Sequence, residues 1–171
     1  MHNLIVRDSN LVTENPQVSL DRLTCFALYT ASRAVINAYR PLLDEAGLTY
    51  PQYLVLLVLW QHGPQPVKAL GAALQLDSGT LSPLLKRLEA AGLVRRERQA
   101  GDERSVLVTL TPAGAELERR ARDIPVRTAR AVGLSAPELD QLRTSLVRFT
   151  AAITGGSPDA VMSGASHEGE S

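Results

Sequence analysis

Residues 77–114, DSGTLSPLLKRLEAAGLVRRERQAGDERSVLVTLTPAG, hold the decisive pattern in a chain of 171 residues. Leu81, Leu84, Leu85 and Leu88 recur at helical spacing, and Lys86, Arg87 and Glu89 fall largely on the other side. Gly92 stops that helix. Val94-Arg95-Arg96-Glu97-Arg98 then carries three arginines into a turn at Ala100-Gly101-Asp102-Glu103, and Val106, Val108 and Leu110 alternate on the way back. The start of the helix has two local solutions. Asp77 can be the N-cap, which leaves Pro83 six residues in and costs a hydrogen bond, or Ser82 can cap with Pro83 in the first turn.

An amphipathic helix followed by an arginine-rich hairpin is the layout of a winged helix-turn-helix. In that motif the second helix of the pair enters the major groove and the hairpin reaches an adjacent minor groove. Ser78, Thr80 and Ser82 are short hydroxyl side chains able to approach bases or phosphates, and Gly79 lets the backbone come near. Lys86 and Arg87 are long enough for phosphates or a guanine edge, and Arg95 and Arg96 add charge along the hairpin. Arg104 follows Asp102 at the hairpin return, where the carboxylate can orient the guanidinium toward a narrow minor groove. The plainer reading of that pair is an exposed ion pair of little energetic weight.

Working outward, residues 1–17 have no period and read as a flexible arm. A long helix follows from about Ser19 or Leu20 to Glu45, with Pro41 a kink near its end and Gly47 closing it. Thr49-Tyr50-Pro51-Gln52 is a capping box that opens a strongly apolar helix, Tyr53 to Gln61. Pro66 opens a short helix from Val67 to Leu74. Beyond the hairpin, Thr111-Pro112 starts a helix expected to run to Val132 with a kink at Pro125, and Ser135 caps a last one through Ile153. The expected fold is mainly α with a small β-hairpin wing. It divides into an arm (1–17), N-terminal dimerisation and sensing helices (18–63), the winged helix-turn-helix (64–111), C-terminal dimerisation helices (112–154) and a disordered tail (155–171). The first and last helices carry more apolar surface than one small winged domain needs, which points to a homodimer.

Composition narrows the function. No apolar run reaches membrane-spanning length, and the N-terminus shows no basic region followed by an apolar core, so a soluble cytoplasmic protein is expected. The formal net charge is zero, yet residues 86–98 set five cations against two acids, while residues 155–171 hold three acids and no Lys or Arg. A local basic surface of that kind suits phosphate contact despite the neutral total. Cys25 is the only cysteine, so an intrachain disulfide and a cysteine-built zinc site are both excluded. His2, His62 and His167 are scattered; no metal and no cofactor are expected.

The four tyrosines, Tyr29, Tyr39, Tyr50 and Tyr53, all lie within 28 residues of Cys25. Cys25 and Tyr29 share a helix face. Tyr39, fourteen residues on, returns to within about 40° of that face but lies about 21 Å along a continuous helix. It therefore cannot touch Cys25 of its own chain. An antiparallel two-fold partner can bring Tyr39 of one subunit to Cys25 of the other, and Tyr50 can join from the same side. Phenol hydroxyls near sulfur favour a thiolate and can orient a peroxide. The expected site is a sensor shared between subunits.

The segment at 77–114 resembles the winged helix-turn-helix of the MarR family of transcriptional regulators, with DERSVLVTLT-x-x-G as the family's wing pattern. The similarity extends from about Leu20 to Ile153. It implies a two-fold dimer held by the first and last helices, and it favours the longer recognition helix beginning near Asp77. LTCFALYTASRAVINAYRPLLDEAGLTYPQYLVLLVLW is similar to the organic-hydroperoxide-sensing branch of that family. The resemblance implies that Cys25 is the thiol oxidised to sulfenic acid, that Tyr39 and Tyr50 are its partner tyrosines, and that Tyr29, with Phe26, lines the pocket. With no second cysteine, this is the one-cysteine form. Its sulfenate would be captured by a low-molecular-weight thiol or a backbone nitrogen, or over-oxidised. The implied function is a repressor that leaves a pseudo-palindromic duplex operator when organic hydroperoxide oxidises Cys25, freeing peroxide-detoxification genes. Two rivals remain: a MarR-type regulator that answers a small aromatic ligand with Cys25 inert, and a thiol peroxidase using Cys25 catalytically.

Overall fold

In the computed structural model the described residues are 19–99 and 102–157, and the side chains of Gln99 and of 102–104 lie outside that set. The expected arm at 1–17, the Ala100–Gly101 part of the turn and the tail beyond 157 therefore fall outside the described residues. The chain divides into two compact bodies, Met1–Val35 and Ile36–Ser171.

In the first body, the expected single helix does not begin at Leu20. Leu20–Arg22 is a 3-10 turn, Leu23 is extended, and helix α1 (Thr24–Glu45) starts at Thr24. The Ser19 hydroxyl donates to the Asp21 carboxylate, a local bond of the kind that competes with helix. Pro41 lies inside α1, which continues to Glu45.

The second body holds the core. After α1 come α2 (Tyr50–His62), β1 (Gln65–Pro66), α3 (Val67–Leu74), α4 (Ser78–Ala90), β2 (Val94–Gln99), β3 (Asp102–Leu110), α5 (Pro112–Ala121), α6 (Ile124–Val132) and α7 (Ala136–Thr154). The Thr49 amide donates to Gln52 Oε1 at 2.8 Å where α2 begins. Tyr53, Val55, Leu56 and Leu59 of α2 are fully buried, which accounts for its apolar character all round. They meet Leu70 of α3 and the leucine stripe of α4 in one cluster with Val94 and Val108 of the sheet. The sheet is antiparallel in the order β1-β3-β2, with Arg96 opposite Val108 and Gln65 also opposite Val108. Register shifts between Arg98 and Gln99, so the pairing near the tip is irregular. Strand β1 has no signal in the sequence, because two residues cannot establish an alternation.

The choice at the start of α4 falls to the longer helix. Asp77 is the N-cap, accepting from the Thr80 amide at 2.8 Å and from its hydroxyl at 3.2 Å, and Pro83 sits inside. Burial explains why the proline is tolerated: Leu81, Leu84, Leu85 and Leu88 are all in the core, and a helix begun at Pro83 would remove Leu81 from that stripe. Gly92 ends α4 at φ 70°, with the Leu93 amide returning to the Leu88 carbonyl at 3.0 Å, the left-handed turn that glycine permits.

The Asp77 carboxyl lies below its ordinary value of 3.8, held there first by the Thr80 amide and then by the Thr80 hydroxyl. A lowered folded-state pKa adds stability above the unfolded value, and that stability is lost as pH falls through the folded one. Acid unfolding of the wild type should therefore carry a component below pH 3.8 that Asp77→Asn lacks. Parallel acid slopes for the two proteins would reject it.

The helix expected from Pro112 to Val132 is in fact two helices, α5 and α6, separated at Arg122–Asp123. Pro125 has no amide to give the Ala121 carbonyl, so the hydrogen-bond ladder of α5 is interrupted there and the proline sits in the first turn of α6, where no such amide is needed. Thr111 caps α5 by accepting from the Gly114 amide at 3.1 Å, and its hydroxyl donates to the Gly92 carbonyl at 2.6 Å. Ser135 begins α7, with its amide donating to Glu138 at 2.8 Å.

Candidate nucleic-acid interface and sensor residues

The buried stripe of α4 leaves its other side outward. Ser78, Gly79, Thr80, Lys86 and Arg87 are exposed and Ser82 is half-buried. The outward side of the helix thus presents hydroxyls in its first turns and two cations toward its end. One of the hydroxyls is already engaged, because Thr80 donates to the Asp77 carboxylate. That carboxylate also sits at the positive end of the helix dipole, where it is favoured.

On β2 the side chains alternate from Val94 to Glu97. Val94 is buried, Arg96 is half-buried, and Arg95, Glu97 and Arg98 are exposed. Arg96 lies against Glu89 of α4, with its Nε at 2.9 Å and its Nη2 at 2.5 Å from Oε2. Arg95 and Arg98 are the outward cations of the strand. The side chains of Asp102 and Arg104 lie outside the described residues; their backbone belongs to β3.

The residues expected to form the sensor fall in both bodies. In the first, Cys25 is exposed, Phe26 is half-buried, and Tyr29 stands one turn beyond the cysteine. Arg33 donates from Nη1 to the Tyr29 hydroxyl at 3.0 Å and lies 5.5 Å from the ring centroid. In the second body, the Tyr39 and Tyr50 rings meet edge-on at 5.1 Å. Tyr53 lies 6.2 Å from Tyr39 and 6.1 Å from Trp60, whose Nε1 donates to the Gly114 carbonyl at 3.0 Å. A ladder of rings thus leads from Tyr50 and Tyr39 through Tyr53 to the first turn of α5.

Burial, then Tyr39 and Tyr50, push the Tyr53 phenol up to about 12; burial, then Tyr39, raise Tyr50 as well. Both phenols are therefore harder to ionise than a free tyrosine and stay uncharged. The Tyr53 hydroxyl is buried and has no partner among the described residues. Ionising it is unfavourable in the fold, so stability should be full below pH 10 and decline as pH rises toward 12. Tyr53→Phe should flatten that alkaline decline in thermal melts, and an unchanged decline would refute the assignment.

Four contributors, Tyr53, Trp60, Arg33 and Glu89, carry no assigned role in the sequence. Tyr53 and Trp60 are seven apart on α2 and could be found by helical spacing, but that spacing also describes plain core. Arg33 follows Tyr29 by four and is visible as an i,i+4 neighbour. Glu89 reads only as a charge on the outer face. Several large apolar side chains lie open: Leu20, Tyr29 and Val35 in the first body, and Val126, Leu142, Phe149 and Ile153 among those of the second. Among the described residues no cluster of acids, histidines or cysteines could hold a metal ion, and no helix is long and apolar enough to cross a membrane.

A profile of the MarR family matches residues 48–106. The organic hydroperoxide resistance transcriptional regulator of Bacillus subtilis is 48% identical over 129 residues, covering 75% of this chain and 88% of that protein. Regulator TtmR of Methylorubrum extorquens is 50% identical over 133 residues, 78% of this chain and 66% of its own. Among solved structures, reduced AbfR bound to DNA superposes with a TM-score of 0.66 at 36% identity, covering 76% of this chain and 91% of that one; AbfR comes from Staphylococcus epidermidis.

Proposed function

Since the chain belongs to the MarR family and is a DNA-binding transcriptional regulator rather than an enzyme, we propose that it is a repressor whose grip on its operator is set by the oxidation state of Cys25, with organic hydroperoxides as the signal. The thiol peroxidase alternative falls with the family assignment. The observation that carries the reading is an exposed sole cysteine one turn before Tyr29, in a chain whose Tyr39 and Tyr50 form a ring pair. The relative from Bacillus subtilis is named for the same class of signal.

The protein acts in the cytoplasm as a homodimer. Helices within 18–63 and 112–154 supply the contact, which would cover the open apolar side chains of α1, α6 and α7. Across the two-fold axis, Tyr39 and Tyr50 of one subunit donate to the Cys25 sulfur of the other. The thiolate attacks the terminal peroxide oxygen; sulfur is oxidised, the O–O bond breaks, and an alcohol leaves after taking a proton. The resulting sulfenic acid condenses with a small cellular thiol, releasing water and leaving a mixed disulfide. Oxygen or adduct displaces the phenols, the subunits shift, and the two recognition helices lose the spacing of about 34–36 Å that successive half-sites require.

Ser78, Thr80, Ser82, Lys86 and Arg87 face the major groove, and Arg95, Asp102 and Arg104 belong to the wing contact. The test titrates wild type on its operator with cumene hydroperoxide while intact mass is recorded. Release should track the gain of one oxygen, or of the thiol adduct, at Cys25. A protein that gains the mass and stays bound would sink the redox reading. For the wing, Arg104→Ala should weaken operator binding and lower the salt slope by about 0.9 for each phosphate the arginine neutralises. An unchanged slope would remove Arg104 from the phosphate set.

A second reading has one observation of its own. A cavity of about 180 Å³, lined by Tyr53, Trp60, Glu118 and Arg122 among others, is of a size for a small aromatic ligand. On that reading Cys25 is inert, and Cys25→Ser would respond to peroxide as the wild type does.

A further inference from the structure

Glu89, on the last full turn of α4, accepts three hydrogen bonds from one residue. The Arg96 amide reaches Oε1 at 3.1 Å, and the Arg96 Nε and Nη2 reach Oε2 at 2.9 and 2.5 Å. The Arg96 side chain, and secondarily its amide, hold the Glu89 carboxyl below the usual carboxylate range. Strand β2 lies at the edge of the sheet, so an amide on its outer side has no strand to bond. Glu89 supplies the missing acceptor and grips the guanidinium at the same time. The tie spans the Ala91–Leu93 turn and joins the recognition helix directly to the first wing strand.

We propose that Arg96 is a positioning residue and not a DNA contact: clamped by Glu89, it fixes the angle between the recognition helix and the wing, and so the register in which the two grooves are read together. The proposal rests on the DNA-reading assignment of α4 and the β2–β3 hairpin. Two features favour clamping over phosphate contact. Two guanidinium nitrogens are already committed to a carboxylate in a side-on geometry. The Glu89 charge also offsets that of Arg96 and would repel a phosphate brought to the same place. Arg95 and Arg98, exposed on the same strand, are left as its contacts for the backbone.

The experiment uses the full-length dimer, a duplex enriched by the wild type from a random-sequence library, and a scrambled duplex of equal length. Affinities for both are measured over a range of KCl for wild type, Glu89→Gln, Arg96→Gln and the double variant, with thermal melts alongside. Each single variant should lose about tenfold in affinity for the enriched duplex, the scale of one misplaced base contact. The scrambled duplex should bind as before and the salt slope should not change. The double variant should be no worse than the weaker single, since both remove one interaction. A merely structural loss would lower both duplexes together and depress the melt. The proposal is overturned if Arg96→Gln flattens the salt slope while Glu89→Gln binds as wild type, because Arg96 then holds a phosphate. It is also overturned if neither variant changes the ratio of the two affinities. If the wild type enriches no duplex, the DNA-reading assignment itself fails.

Discussion

Cys25→Ser should still bind the operator before oxidation, because its hydroxyl can accept the phenol hydrogen bonds that the sulfur accepts, and it should no longer release DNA when organic hydroperoxide is added. Serine has the shape of cysteine without a sulfur to oxidise, so the variant should be fixed in the bound state. The effect is large because a switch must be. Taking a repressor from nearly all bound to nearly all free needs about a 10⁴-fold change in the balance of states. A hydrogen bond contributes about 0.5–1.5 kcal/mol, and two phenols at each of the dimer's two sites give four to lose, so removing them approaches that range. Gel shift or fluorescence anisotropy with and without cumene hydroperoxide decides it. Tyr39→Phe and Tyr50→Phe should blunt the response without removing it, since each deletes a donor and keeps the ring. A Cys25→Ser protein that leaves the operator as readily as wild type would transfer the switch to another site, with the cavity beside Tyr53 the first place to look.

Gly114→Ala should be the most damaging small substitution in the second body. Its backbone does not need left-handed geometry; the constraint is approach. A methyl group at Gly114 would stand 2.0 Å from the Leu93 carbonyl oxygen and 3.0 Å from its carbon, and backbone cannot swing aside as a flexible side chain can. The same carbonyl accepts the Thr111 amide at 3.0 Å, and the Gly114 carbonyl accepts Trp60. Relief of the clash must move α5 away from the root of β2 and strain both bonds. Overpacking costs about 1–3 kcal/mol and occasionally more, and a clash with backbone belongs at the top of that range. At about 2–4 °C per kcal/mol for a chain of this size, the melting temperature should fall by roughly 6–12 °C. A melt within a degree or two of wild type would show that α5 can slide freely. Here lies the physical meaning of the glycine in the T-x-x-G pattern: threonine caps the helix, and glycine lets the cap sit against the end of the α4 turn.

The leucine stripe of α4, the alternation of β3 and the caps at Thr111 and Ser135 are legible in the chain because each is local. The start of α4 is not legible locally, since Asp77 and Ser82 are both sound caps; the family resemblance favours Asp77, and the burial of Leu81 gives the physical reason. The break between α5 and α6 reads as a kink because a proline does not say whether a helix bends or stops. Among site residues, Tyr39 and Tyr50 stand out by type and spacing, and their ring contact is seen only in the fold. Arg96 reads as a DNA contact because three arginines on one strand look alike in a sequence. What distinguishes it is Glu89, seven residues earlier and across a turn, which no periodicity connects to it.

Trp60 is the only tryptophan in the chain, and it stands where the ring ladder meets the first turn of α5. Its emission therefore comes from one known place. Light absorbed by Tyr53, about 6 Å away, is passed to it, and the indole N–H bond to the Gly114 carbonyl tunes its colour. A movement that parts these groups would show as a change in intensity or wavelength with no dye attached. The protein carries its own optical gauge at the joint between the helix that bears the tyrosines and the segment that braces the wing.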